Sequence, residues 1–148
     1  MIELQVYYNM VENALVHLGA DPIQSRGPLP GKWWMRKGSA ELWIDIWYEE
    51  KLERAYFQVV APAIPIPLSK RESFFKELLE FNDKMYGVAF TIYNDWAFIK
   101  EIREVDGLDD NEVLAIINRI GLYCDKYDDL LKYKYSVPPL FPGPPPTR

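Results

Sequence analysis

The chain has 148 residues, 49% of them hydrophobic and 15% aromatic, which fits one folded domain and excludes intrinsic disorder for most of the sequence. Its formal net charge of -5 disfavours nucleic acid and anionic membrane surfaces as partners. A single cysteine, Cys124, and a single histidine, His17, exclude an internal disulfide, a cysteine metal cluster and a multi-histidine site, so we predict no metal and no cofactor.

The first segment is predicted to be a helix. Apolar residues with the 3,4 spacing of one helix face occur at Leu4, Tyr7, Val11, Ala14 and Leu18. Gly19 then provides a C-terminal stop. No signal-peptide pattern is visible in this segment, and the chain has no apolar run of about 18 residues, so we expect a cytoplasmic protein and no membrane partner. Residues 21–32 are dense in proline and glycine and are predicted to form a loop.

Three strands are predicted at 33–36, 40–48 and 54–61, and their short connections require antiparallel pairing. Successive side chains of a strand point to opposite faces. In the middle strand the aliphatic set, which should face the core, is Leu42, Ile44 and Ile46. Trp43 and Trp47 then point to the other face.

The second half of the chain repeats the helix and strand patterns. Pro62, Pro65 and Pro67 predict an extended connector, and the capping-box spacing of Ser69 and Glu72 predicts a helix that ends near Phe81.

Two strands, at 86–93 and 96–103, are predicted to form a hairpin about Asn94 and Asp95. The side chains expected to face inward on the first of them are Val88, Phe90 and Ile92. The inward set of the second strand is left open by its pattern. Asp109 and Glu112 have near-capping-box spacing and predict a long final helix to about Lys132.

The element order is therefore α-β-β-β-α-β-β-α, which predicts an α+β domain of helices packed on a mostly antiparallel sheet. We assign residues 1–135 to this single domain. Residues 136–148 are proline-rich and are predicted to form an extended, disordered tail.

The strongest candidate site is the face that carries Trp43, Trp47 and Tyr56, with Arg54 interleaved. Exposed tryptophan and tyrosine clusters are costly unless covered, and these residues dominate protein interfaces. The face is therefore predicted to bind a protein or a second copy of the chain, and a free strand edge could also accept a client strand. The alternative is that the proline-rich connector, the first helix or the tail covers it.

No catalytic constellation is evident, so we predict that the protein is not an enzyme. His17 has no partner group near it in sequence, and Cys124 lies on the apolar stripe of the final helix, where a thiol packs as a small hydrophobic residue. The ten tyrosines favour one rival function, because buried phenols need hydrogen-bond partners. The rival function is that of a small-molecule sensor. Its pocket would lie between the last helix and the sheet and would be lined by Tyr123, Tyr127 and Phe90.

Residues 32–129 resemble the bacterial YbjN domain family. The stretches that carry this resemblance are WMRKGSA at 34–40, RAYFQVVAP at 54–62, LLEFN at 78–82 and YCDKYDD at 123–129. YbjN proteins are often described as sensory transduction regulators and are similar in fold to type III secretion chaperones. The resemblance implies helices against a twisted antiparallel sheet, frequently in a homodimer, and a protein client of unknown identity in place of a substrate.

Overall fold

The computed structural model describes residues 3–135. The elements in chain order are α1 (Gln5–His17), α2 (Pro22–Ser25), β1 (Lys32–Lys37), β2 (Ala40–Glu49), β3 (Arg54–Pro65), α3 (Arg71–Lys84), β4 (Ala89–Tyr93), β5 (Trp96–Glu104) and α4 (Asp110–Tyr135). The predicted α+β class and element order are confirmed, with one addition. The predicted proline-rich tail, 136–148, lies outside the described residues.

The addition is α2, a single helical turn inside the segment predicted to be a loop. The Asp21 side chain accepts hydrogen bonds from the backbone N–H groups of Ile23, at 2.9 Å, and Gln24, at 3.2 Å. Pro22 occupies the first turn, where its missing N–H is not needed. Four residues are too few to show a periodic pattern, so the spacing of apolar residues could not reveal this helix.

The five strands form one sheet in the order β1-β2-β3-β5-β4, and every neighbouring pair is antiparallel. The β4–β5 hairpin turns at Asn94 and Asp95 as predicted, and Asn94 adopts a positive φ of 51°. Because β5 returns beside β3, strand β4 lies at one edge of the sheet and β1 at the other.

Strand β3 is longer than predicted and includes Pro62 and Pro65, which the sequence placed in a connector. The register with β2 ends at Val60, so beyond that point β3 pairs only with β5. Proline is tolerated there because its missing N–H removes no ladder bond on the β2 side. A register shift between Pro62 and Ile64 accommodates the change.

The helix boundaries confirm one predicted cap and contradict the other. At α4, the Glu112 N–H donates to Asp109 Oδ1 at 2.8 Å, as predicted. The capping box of Ser69 and Glu72 is wrong, because Lys70 occupies the N-cap position of α3 with a left-handed φ of 57° and no side-chain cap bond forms. Helix α3 also continues past Phe81, and α4 continues past Lys132.

One face of the sheet, which we call the inner face, packs against the helices. The predicted core residues of β2 are all at most 3% exposed, and the core cluster joins them to Val11 and Leu15 of α1 and to Ile117 and Ile120 of α4. Phe57 of β3 is fully buried at the centre of this layer. The aliphatic set of β2 therefore faces the core as the alternation predicted.

The β4–β5 hairpin follows the same division, with one exception. Val88 and Phe90 are buried as predicted, but Ile92 is 47% exposed because it lies near the hairpin turn of an edge strand. The register places Ile99 opposite Phe90, so Ile99 and Ala97 take the inner face, which settles the pattern that the sequence left open.

The turn between β1 and β2 is fixed against α4. Ser39 Oγ donates to Asp125 Oδ1 at 2.7 Å, and Gly38 has a positive φ of 62° at a point where a Cβ would lie 2.9 Å from Asp125 Oδ2. The Lys37 side chain packs against Gly121. A Cβ at this position would lie 2.9 Å from Lys37 Cδ, so the glycine leaves room for the lysine. These contacts hold the first two strands in place relative to the final helix.

Candidate protein-binding surface

The opposite side of the sheet, which we call the outer face, carries the candidate site. The registers place on it Lys32, Trp34, Arg36, Glu41, Trp43, Asp45, Trp47, Glu49, Arg54, Tyr56, Gln58, Val60, Phe98, Lys100, Ile102 and Glu104. These side chains occupy every second position of their strands, so they point away from the helices. All four predicted site residues lie on this face.

Its aromatic side chains form two pairs across neighbouring strands. Trp47 and Tyr56 are stacked, with ring centroids 5.6 Å apart and an interplanar angle of 27°. Trp34 and Trp43 lie 6.0 Å apart at 59°. Cross-strand aromatic pairs stabilise a sheet, but flat rings at these spacings also present a large apolar area to a partner.

Trp34 was not singled out for this face by the sequence. Once the β1–β2 register is known, its position opposite Trp43 follows directly, whereas the neighbouring Trp33 points into the core. Trp33 and Trp34 are adjacent in the strand and therefore lie on opposite sides of the sheet.

The helices within residues 3–135 do not pack on the outer face. Trp43, Trp47 and Tyr56 are partly exposed and lie outside the core cluster. Val60 and Phe98 also lie outside that cluster, although they are only 4% and 5% exposed. The predicted proline connector is part of β3 and α1 contributes to the core, so neither covers these aromatics. The tail, the third proposed cover, lies outside the described residues.

A row of polar side chains separates the two aromatic pairs. Asp45 accepts hydrogen bonds from Lys32 Nζ at 3.1 Å and from Gln58 Nε2 at 3.3 Å. The row therefore runs across β1, β2 and β3. At one end of the strands, Arg54 Nε lies 3.6 Å from Glu104 Oε2, and the two side chains are 59% and 50% exposed. Ion pairs with this exposure contribute little to stability.

The polar groups of the outer face are incompletely satisfied. Among the described residues, the buried side-chain polar atoms without a hydrogen-bond partner are Glu41 Oε2, Trp43 Nε1 and Gln58 Oε1. All three belong to the outer face, and they include one donor and two acceptors. Buried polar atoms are normally paired, so this concentration distinguishes the outer face from the core.

Both edges of the sheet are partly occupied by the chain itself. At β4, the Asn82 side chain of α3 accepts from the Phe90 N–H at 2.6 Å and donates to the Phe90 carbonyl at 3.4 Å, as a neighbouring strand would. At β1, the Gly27 N–H donates to the Lys32 carbonyl at 2.8 Å. A client strand could therefore pair with only short parts of either edge.

Cys124 and His17 have no arrangement suited to catalysis. Cys124 is buried among core residues with its Sγ 3.6 Å from the Pro62 carbonyl oxygen, as its predicted packing role requires. Burial raises the pKa of its thiol to about 12, which keeps the unreactive thiol form at neutral pH. His17 is exposed at the end of α1. Within residues 3–135, no group of three His, Cys, Asp or Glu side chains could hold a metal ion.

The position suggested for a small-molecule pocket is filled by aromatic rings. Tyr127 is 5% exposed, and its ring lies 6.0 Å from that of Phe90 and 6.2 Å from that of Tyr123. Phe81 contributes a further ring at 4.5 Å from Tyr127. These side chains pack against one another where the alternative placed a ligand.

Fold and surface together define a class: an α+β domain with a type III secretion chaperone-like fold and one sheet face left open by its helices. The particular solved structure that shows the likeness is the crystal structure of the ExsC–ExsE complex. A chain of that complex superposes with a TM-score of 0.68 at 12% sequence identity, over 88% of this chain and 97% of the other. At this identity the likeness shows the fold.

The sequence comparisons add no family. No protein-family model matches the chain, and no curated protein matches it. The YbjN resemblance therefore stays a prediction. Among the described helices, none is long and apolar enough to cross a membrane.

Proposed function

We propose that this protein is a noncatalytic, chaperone-like or regulatory protein-binding domain that acts as a cytoplasmic homodimer and holds a protein client. The surface that binds either the second copy or the client is the outer face, with Trp43, Trp47 and Tyr56 as its apolar centre and Arg54 at its rim. Burial of the aromatic rings provides affinity, and the interleaved charges provide specificity.

The observation that carries this proposal is an aromatic sheet face over which no helix of residues 3–135 packs. A sheet normally buries at least one face against other elements, and in this domain the inner face is the one that packs against the helices. Large exposed aromatic patches on a small domain mark interaction sites. The likeness to a chain from a two-protein complex, ExsC–ExsE, supports the same reading.

The test replaces both indoles, in Trp43→Ala with Trp47→Ala, and measures assembly by sedimentation and client capture by affinity purification from the native host. The double variant should lose self-association or a specific partner while circular dichroism shows a folded domain. Tyr133→Ala is the matched control, because Tyr133 is an aromatic residue that is 90% exposed on α4. If assembly and the captured proteins match those of the control, the outer face is not the binding surface.

A further inference from the structure

We infer that the outer face is occupied by a second copy of this chain, packed sheet against sheet about a two-fold axis that runs parallel to the strands between β2 and β3. The inference rests on the proposed function and names the partner of that surface. Four features of the outer face lead to it: the state of the sheet edges, its area, its charge and its register.

The first feature is that the main chain of the sheet offers a partner little to bind. Asn82 closes β4 at Phe90, and the segment around Gly27 closes β1 at Lys32. The larger binding surface is therefore the set of side chains on the outer face, which a second sheet meets when two sheets pack about 10 Å apart.

The second feature is the area of the face. The five strands have 6, 10, 12, 5 and 9 residues, and at about 3.3 Å per residue and about 4.8 Å between strands they give a face of roughly 670 Å². This is about what each partner contributes to a standard stable interface. A single helix, about 10 Å in diameter, spans the width of about two strands and would leave most of the five-stranded face uncovered.

The third feature is the charge of the face. Within the described strands, the cationic side chains on the outer face are Lys32, Arg36, Arg54 and Lys100, and the anionic ones are Glu41, Asp45, Glu49 and Glu104. Four charges of each sign make this face neutral on a chain whose net charge is -5. Two copies that repel each other elsewhere can therefore approach through it.

The fourth feature is the register between β2 and β3. These strands pair Glu49 with Arg54, Trp47 with Tyr56, Asp45 with Gln58, and Trp43 with Val60. A two-fold axis along the strands exchanges β2 and β3, so each residue of a pair faces the other residue of that pair in the second copy. Carboxylate then meets guanidinium, ring meets ring, and a carboxylate meets an amide, with no like charges opposed.

An axis across the strands is less favourable. If it passed along the polar row, it would set Asp45 against Asp45 and Lys32 against Lys32 of the second copy. Like charges directly opposed in an interface cost binding energy.

The test exchanges the two rim charges. The full chain carrying Glu49→Arg together with Arg54→Glu should form homodimers as the natural chain does, because opposite charges still face each other. The single variant Glu49→Arg opposes two arginine pairs and should raise the dimer dissociation constant by about tenfold. When the double variant is labelled with ¹⁵N and mixed with the natural chain, native mass spectrometry should detect few heterodimers, because like charges then meet.

Heterodimers in the statistical proportion, or an unchanged dissociation constant for Glu49→Arg, would overturn the register and with it the inference. A natural chain that is monomeric in sedimentation, yet still captures a client through Trp43 and Trp47, would overturn the second copy as the occupant and leave the proposed function standing. A natural chain that neither dimerises nor captures a client would overturn both. Trp47→Ala is the second variant, and its dimer should dissociate at least as readily as that of Glu49→Arg, since the ring lies nearer the axis centre.

Discussion

The inner and outer faces are built from alternate residues of the same five strands, yet they differ in almost every property. The inner face carries aliphatic side chains and Phe57, which are fully or nearly fully buried against α1 and α4. The outer face carries tryptophans, a tyrosine and balanced charges, and its tryptophans and Tyr56 remain partly or largely exposed. One face therefore stabilises the domain, and the other is available for a partner.

The two sides of the sheet also differ in whether their buried polar groups have hydrogen-bond partners. On the helical side of the sheet the Asn82 amide makes two bonds to Phe90, and the buried Asp128 accepts the Asp129 N–H and lies 3.5 Å from Lys132 Nζ. The unpartnered buried atoms among the described residues all belong to the outer face. A core tolerates polar groups only when they are paired, whereas an interface can complete the pairing on association.

The largest expected effect is on the free energy of unfolding, which a substitution on the inner face should lower far more than one on the outer face. Phe57→Ala removes a fully buried ring from the inner face and should cost about 3–5 kcal/mol of unfolding free energy in urea denaturation. Trp47→Ala, on the outer face, should cost the monomer far less, because that indole is only partly buried by its own chain. Equal losses for the two variants would show that the outer face is part of the folding core.

A smaller effect is expected where an inner-side polar group closes the sheet edge. Asn82→Ala leaves the partly buried Phe90 N–H without its acceptor and should cost about 1–3 kcal/mol, with faster hydrogen exchange at Phe90. Asn82→Asp retains an acceptor oxygen and is the matched control. Slow exchange at Phe90 in the alanine variant would mean that Asn82 does not protect this edge.

The smallest effect concerns the buried carboxylate of α4. Burial raises the pKa of Asp128 above its ordinary value of 3.8, although Lys132 opposes the shift. The folded state therefore binds a proton more tightly than the unfolded state, so this group lowers stability as the pH rises from about 4 through the folded pKa. Asp128→Asn keeps an acceptor for the Asp129 N–H and removes that titration.

The asparagine variant should therefore be more stable than the natural chain at neutral pH, and the advantage should disappear below pH 4, as urea titrations at several pH values can measure. An advantage that grows on acidification would contradict the direction of the shift. Together with the first two variants, this experiment tests whether polar groups on the helical side are matched while those on the outer face await a partner.

The hydrophobic pattern predicted the element order, the α+β class and the division of β2 into two faces, because these depend on spacing within one strand or helix. The cap at Asp109 was predictable for the same reason, since its acceptor and donor are three residues apart. The cap of α3 was not, because Lys70 turns the chain in a left-handed conformation that the Ser69 and Glu72 spacing does not reveal. The prolines of β3 also misled the prediction, since their tolerance depends on where the β2 register ends.

The sequence by itself determined that an aromatic set and an aliphatic set would point to opposite sides of the sheet, because alternation is a property of the strand backbone. Only the tertiary structure decided that no described helix lies over the aromatic side, that Trp34 joins Trp43, and that Asn82 reaches the edge of β4. Those relations join residues from separate elements, and they depend on register and packing that no single stretch of sequence encodes.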